Sequence, residues 1–416
     1  MSTNLWPEKG DPIQADPPAG LRAVLAVPHV PHLLLTSLIG RLPVASAPLA
    51  ILLCVVAGGG GYLWASVVAG LYGLAATIGQ PLLGRLVDRQ GHRFALVAAA
   101  LTSAVAMISL AVLDPHQRLL TVMAAVAAGF ATPPLEGALR ALWSDTVPQR
   151  LQPAAFSLDV AAQSLLFALG PLLVSATVSL SGPGTALTLI AALGVAGTWA
   201  MTTSRLSRTW QACPAGAANW SGPLRSRELR GMAAVLLLVG VALGAQGVAG
   251  TAWADRLGVR TSAGVLLGAF SAGSCLGGLV FSRRRESRIG ERTLVGLAGG
   301  FALGWAPLVA APSSLGLMAL FALVPGLFLS PLLGTVFERV GRCADPACLT
   351  ETFSWLVAAV GIGGAIGTAL AGPLADRHGA FASYALALLA AVSGLARLAL
   401  HLAGAARPVR NVARPA

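Results

Sequence analysis

Glu136 and Arg140 stand four residues apart in a run that is otherwise apolar, and Asp159 opens the next such run. Ionised groups are costly to take out of water, so in such places they are paired or do work. A buried carboxylate there could take up and release a proton near neutral pH. Glu136 and Asp159 are therefore candidate proton-coupling groups. The same spacing puts Glu136 and Arg140 on one helix face, so a structural ion pair is an equal expectation. Arg41, Gln163 and Gln246 are further polar side chains within or near apolar runs. Each could line a cavity for a solute or make a contact between helices. Trp355 is a candidate cavity residue and also, with Trp64, Trp143 and Trp253, a candidate interfacial anchor near a run's end.

A second concentration of charge is the stretch Gly84-Arg85-Leu86-Val87-Asp88-Arg89-Gln90-Gly91-His92-Arg93. Apolar runs flank it, about Leu63 to Leu83 before and Phe94 to Leu113 after. The pattern predicts a tight turn on the wet side of a bilayer. Gly84 would let two helix ends approach closely, and Gly91 would supply a positive φ. Asp88 would sit well against a helix N-terminus, where a carboxylate is favoured.

The elements that position these residues follow from composition. The chain is 56% hydrophobic and 11% charged, against about 25% charged in soluble domains. About twenty apolar residues cross a bilayer, and helices satisfy their own backbone groups there. Runs of that length number twelve: about 33–56, 63–83, 94–113, 119–142, 155–180, 185–203, 232–253, 263–281, 294–311, 315–337, 352–370 and 381–403. The resulting expectation is an all-α membrane protein with twelve transmembrane helices in two pseudo-symmetric six-helix bundles. Residues 1–28 read as a flexible cytoplasmic tail, 29–203 and 231–404 as the bundles, 204–230 as a cytoplasmic linker, and 405–416 as a second tail. Pro43, Pro134 and Pro331 are expected to break helices that line the centre.

The net charge of +12 would suggest nucleic acid in a soluble protein. Here it has a topological use. With the N-terminus inside, the inner segments hold 23 of the 28 basic residues and the outer turns four, with Arg41 inside the first run. That places both termini in the cytoplasm of a plasma-membrane protein. Cys54, Cys213, Cys275, Cys343 and Cys348 form no CxxC pair, so reduced thiols and no metal site are expected. No phosphate-loop or hydrolase motif occurs, so neither a cofactor nor an enzyme is expected.

The halves also repeat. Gly129, Pro134 and Gly137 recur 197 residues later as Gly326, Pro331 and Gly334. At the same offset Phe156-Ser157 matches Phe353-Ser354, Ala161-Ala162 matches Ala358-Ala359, and Gly170 matches Gly367. Parallel repeats with a site between them are a transporter architecture.

The pattern Gly-x-Leu-x-Asp-Arg-x-Gly-x-Arg, carried by Gly84, Leu86, Asp88, Arg89, Gly91 and Arg93, resembles the motif between the second and third helices of the major facilitator superfamily. The resemblance implies a secondary transporter in which Asp88 meets a helix end of the other half and stabilises the state closed to the cytoplasm, framed by Arg89 and Arg93. A bacterial drug-efflux-like branch is the expectation, with proton-coupled export of a small hydrophobic or amphipathic compound by a monomer. Uptake or facilitated diffusion of a nutrient, and a non-transporting receptor, are the alternatives. Two antiporter features are absent. Ala125 stands where an arginine would precede Gly129, and Gly170-Pro171 lacks a glycine pair.

Overall fold

The computed structural model describes residues 21–114, 116–209, 222–256, 261–282, 290–310 and 314–405. Twelve helices among them are long and apolar enough to cross a membrane. They are Val30–Ala57, Tyr62–Gln90, His92–Val112, Arg118–Thr146, Gln149–Ser181 and Pro183–Thr202 in the first half of the chain. Arg227–Arg256, Gly264–Phe281, Glu291–Val309, Leu315–Cys343, Pro346–His378 and Ala380–Gly404 follow in the second. The described residues contain no strand.

The helices outrun the apolar stretches that predict them. The second span continues through Arg85, Asp88 and Arg89 to Gln90, and the third begins at His92. The expected turn thus shrinks to Gly91, whose φ of 86° suits glycine. Gly84, Asp88 and Arg89 are helical, and Arg93 lies in the first turn of the third span. Hydropathy ends where the bilayer ends, whereas helix hydrogen bonding continues into water. Part of the expected N-terminal tail is also ordered: Leu21–Ala26 is a short helix with Val24 fully buried.

The prolines act unequally. The first span breaks at Arg41, between helices Val30–Gly40 and Leu42–Ala57, with Pro43 in the first turn of the second piece. The fourth breaks between Arg118–Phe130 and Leu135–Thr146, at Pro133-Pro134. Tyr72 of the second span serves both breaks, its hydroxyl 3.4 Å from the Pro43 carbonyl and 3.5 Å from Thr132 Oγ1. Pro331, expected to break the tenth span, lies inside the unbroken helix Leu315–Cys343.

One apolar core runs the length of the second half and reaches into the first at the end bearing Asp88, joining Val87, Leu142 and Phe156 to Val340, Phe353 and Leu356. At the opposite end the first half has its own core around Ile51, Tyr72, Met107 and Ile190, which takes in no residue of the second half. The halves therefore share a packed interior at the Asp88 end. Trp143 and Trp253 belong to the interior, 0% and 2% exposed, rather than to an interfacial belt.

Candidate functional site

The break at Arg41 aims its side chain across the first half towards the fifth span. Arg41 Nη1 donates to Asp159 Oδ1 at 2.7 Å and to Gln163 Oε1 at 3.0 Å. Asp159 Oδ2 faces Arg140 Nη2 at 2.8 Å. Arg140 Nη1 donates to Glu136 Oε2 at 3.3 Å, and Gln163 Nε2 donates to Glu136 Oε1. These five side chains close a ring: Arg41, Asp159, Arg140, Glu136, Gln163 and back to Arg41. Two arginines balance two carboxylates, so the ring is formally neutral.

The members are not held alike. Asp159 is fully buried and meets two guanidinium groups. Glu136 meets one, and its side chain is 12% exposed. Two of the pairings join distant sequence: Arg41 lies 118 residues from Asp159. Counted from the Asp88 side of the apolar runs, Arg41, Glu136 and Asp159 lie eight, six and four residues inside, or about 12, 9 and 6 Å at 1.5 Å per residue.

On its far side the ring touches the second half. The Arg140 guanidinium sits 3.8 Å from the ring centroid of Phe337 on the tenth span. Phe337 packs edge-on to Phe353 at 6.4 Å, and Phe353 packs against Phe156 at 5.9 Å. A cation over an aromatic face in a dry setting is a favourable contact.

A second cluster lies where the halves meet. Asp88 Oδ2 accepts from the backbone N–H of Glu351 at 2.8 Å, and Oδ1 from that of Thr350 at 3.2 Å. These are orphan donors at the start of helix Leu349–His378, the place where a carboxylate is stabilised. Arg85 and Arg89 bring positive charge to neighbouring Glu351. Arg93 is exposed. One turn before Asp88, a Cβ on Gly84 would lie 2.7 Å from Ser354 Oγ, and one on Gly137 2.6 Å from the same atom. The second half mirrors this: a Cβ on Gly334 would lie 2.6 Å from Ser157 N, and one on Gly278 3.0 Å from Ser157 O. Two serines, 197 residues apart, thus each seat in a pair of glycines from the other half. Ser164, Ser274 and Ser330 continue the contact as a hydroxyl chain, at 2.9 Å and 2.6 Å.

The predicted cavity residues therefore divide. Arg41, Glu136, Arg140, Asp159 and Gln163 come together. Gln246 is buried on the seventh span, and half-buried Trp355 lies beside the Asp88 contact on the eleventh; neither joins the ring. Thr350 and Glu351, which receive Asp88, were not legible as partners, because backbone donors leave no mark in side-chain patterns. Phe337 stands 197 residues after Arg140, so the repeat offset could have found it. Glu228 was also missed. It accepts from Arg339 and meets His401 Nε2 at 2.9 Å, tying the seventh, tenth and twelfth spans together.

Twelve apolar helices in two repeated halves, docked through an acid-to-helix contact, define a polytopic transporter fold. The sequence profile of the Major Facilitator Superfamily matches residues 33–342, and the chain belongs to that family of membrane transporters. No individual curated protein matches significantly. Among solved structures, the chain is similar to a bacterial homologue of the iron transporter ferroportin in an outward-facing state (13% identity, TM-score 0.71, covering 90% of this chain and 99% of that one). It is also similar to the E. coli fucose:proton symporter FucP (16% identity, TM-score 0.67, 89% and 98%). The human organic anion transporter MFSD10 (TETRAN) is a third (17% identity, TM-score 0.58, 91% and 99%). At these identities the likeness is one of fold.

Proposed function

We propose that the protein is a proton-coupled secondary transporter of a small, largely apolar or amphipathic compound, working by alternating access in the plasma membrane. The observation that carries this is the five-membered ring with one carboxylate, Glu136, held by a single guanidinium. Both of its oxygens already accept an N–H, so a proton on either displaces a contact. On Oε2 it displaces Arg140. On Oε1 it displaces the Gln163 amide N–H, and an amide rotation to accept it turns the Gln163 N–H groups against Arg41. Proton uptake is thereby tied to the freedom of a buried arginine within a membrane span.

In this reading Asp88 locks the cytoplasmic side, both termini are cytoplasmic, and a monomer suffices. The 29–203 and 231–404 bundles rock about the site, with 204–230 as the linker. Export in exchange for protons is the first choice, because the spans are poor in polar groups outside the ring. Uptake with a proton is the second reading, favoured by the ring's charge balance: protonation leaves +1, which an anionic solute would offset.

Everted membrane vesicles energised to an acidic interior test this. Hydrophobic cations, carboxylate amphiphiles and antibiotics are added singly, and the pH gradient is followed. Collapse in wild-type vesicles, and a slower collapse in Asp88→Asn vesicles, is expected. No collapse with any compound, with the protein shown to be inserted, would contradict proton-coupled export and leave uptake.

A further inference from the structure

Hydrogen-bond accounting within the ring leaves mostly donors over: Nε and Nη2 of Arg41 and Nε of Arg140, against one acceptor, Asp159 Oδ2, which is held by its ion pair with Arg140. Both oxygens of Asp159 and of Glu136, and the amide oxygen of Gln163, face arginine or amide N–H groups. On the donor side, Arg41 uses only Nη1. Its Nε and Nη2 are buried without a hydrogen-bond partner among the described residues, in a side chain that is 3% exposed. Nε and Nη2 are neighbours on one edge of the guanidinium plane. That edge carries two parallel N–H groups, the geometry that grips both oxygens of a carboxylate. Two hydroxyls of the same span, Ser37 and Ser46, are likewise buried without a partner. Buried donors of this kind are costly to leave unmade.

We propose that the transported compound carries a carboxylate, which binds the Nε–Nη2 edge of Arg41 while Nη1 keeps its hold on Asp159. This rests on the second form of the transport reading above, uptake with a proton, and names the substrate class of that site. The charge count selects a single negative charge. The ring is neutral, so a monoanion is matched by one proton on Glu136, whereas a phosphate dianion would leave a charge uncompensated inside the spans.

The test uses purified full-length protein and two matched sets of probes: naphthoate, naphthamide and naphthylmethylamine, and octanoate, octanamide and octylamine. Binding is read as the shift in thermal unfolding against probe concentration. The carboxylate of at least one set should stabilise the wild type, more strongly at lower pH, while its amide and amine do not. Arg41→Lys retains the charge and one contact to Asp159 but loses the two-donor edge. It should bind the carboxylate roughly tenfold more weakly or worse. Arg41→Gln should not bind it. Preference for an amine or amide, carboxylate binding unchanged in Arg41→Lys, or no binding of either carboxylate would overturn the proposal. The wild-type selectivity stands as a result even if a variant fails to fold. Glu136→Gln separates the two readings: carboxylate binding without pH dependence is expected of it. Carboxylate selectivity with gradient-driven transport surviving in Glu136→Gln would refute the coupling reading and leave this one intact.

Discussion

Asp159 and Glu136 share a ring but carry different loads. Asp159 contacts both Arg41 and Arg140 directly, with no exposure. Removing one partner of a buried ionic network leaves the others uncompensated, at a cost of about 3–5 kcal/mol. Asp159→Asn should therefore lower the unfolding temperature in detergent markedly. Glu136→Gln leaves Arg140 its contact with Asp159, and should cost less than about 2 kcal/mol. Equal destabilisation by the two would show that the load is shared evenly. The sequence made half of this ring visible. Glu136 and Arg140 pair by helix spacing, and each polar residue stood out against its apolar surroundings. The pairing of Arg41 with Asp159 was not visible, because it depends on how the first and fifth spans cross.

At the scale of elements, the closed end is built from two clasps and one latch. Ser354 seats against Gly84 and Gly137, Ser157 against Gly278 and Gly334, and only the first clasp has the Asp88 contact to a helix N-terminus. A charge at a helix N-terminus contributes about 1 kcal/mol, so Asp88→Asn should open this end roughly fivefold more often. Hydrogen exchange at the Thr350 and Glu351 amides reads this directly and should quicken. Gly334→Leu drives a side chain into the Ser157 backbone on the opposite clasp. It should quicken exchange at the same two amides, because the halves separate as bodies. A change confined to the Ser157 neighbourhood would mean that the clasps open independently. Here the motif announced Asp88 and Gly84, whereas Ser157 and Ser354 were visible only as repeat matches. The charged stretch looked like a loop because hydropathy marks the membrane boundary and not the helix end at Gln90.

For the whole molecule, the repeat conserves shape and divides chemistry. Moving 197 residues on from Glu136, Arg140, Asp159 and Gln163 leads to Leu333, Phe337, Leu356 and Val360. The first half thus holds the charges and the second presents an apolar face, with Phe337 laid over Arg140. Twelve spans and the duplication were legible because length, hydropathy and offset are properties of the chain alone. The burial of Trp143 and Trp253 was not, since a tryptophan near a span's end suits either an interface or a packed core.

The most direct measurement compares two modes of transport in proteoliposomes containing wild type or Glu136→Gln. One mode is accumulation of a labelled substrate, identified in the vesicle screen, driven by a pH gradient. The other is exchange of the same compound across the membrane with no gradient. If Glu136 carries the coupling proton, Glu136→Gln exchanges substrate at close to the wild-type rate but no longer accumulates it against its gradient. Gradient-driven accumulation that persists in Glu136→Gln would contradict the account and assign the ring a structural role.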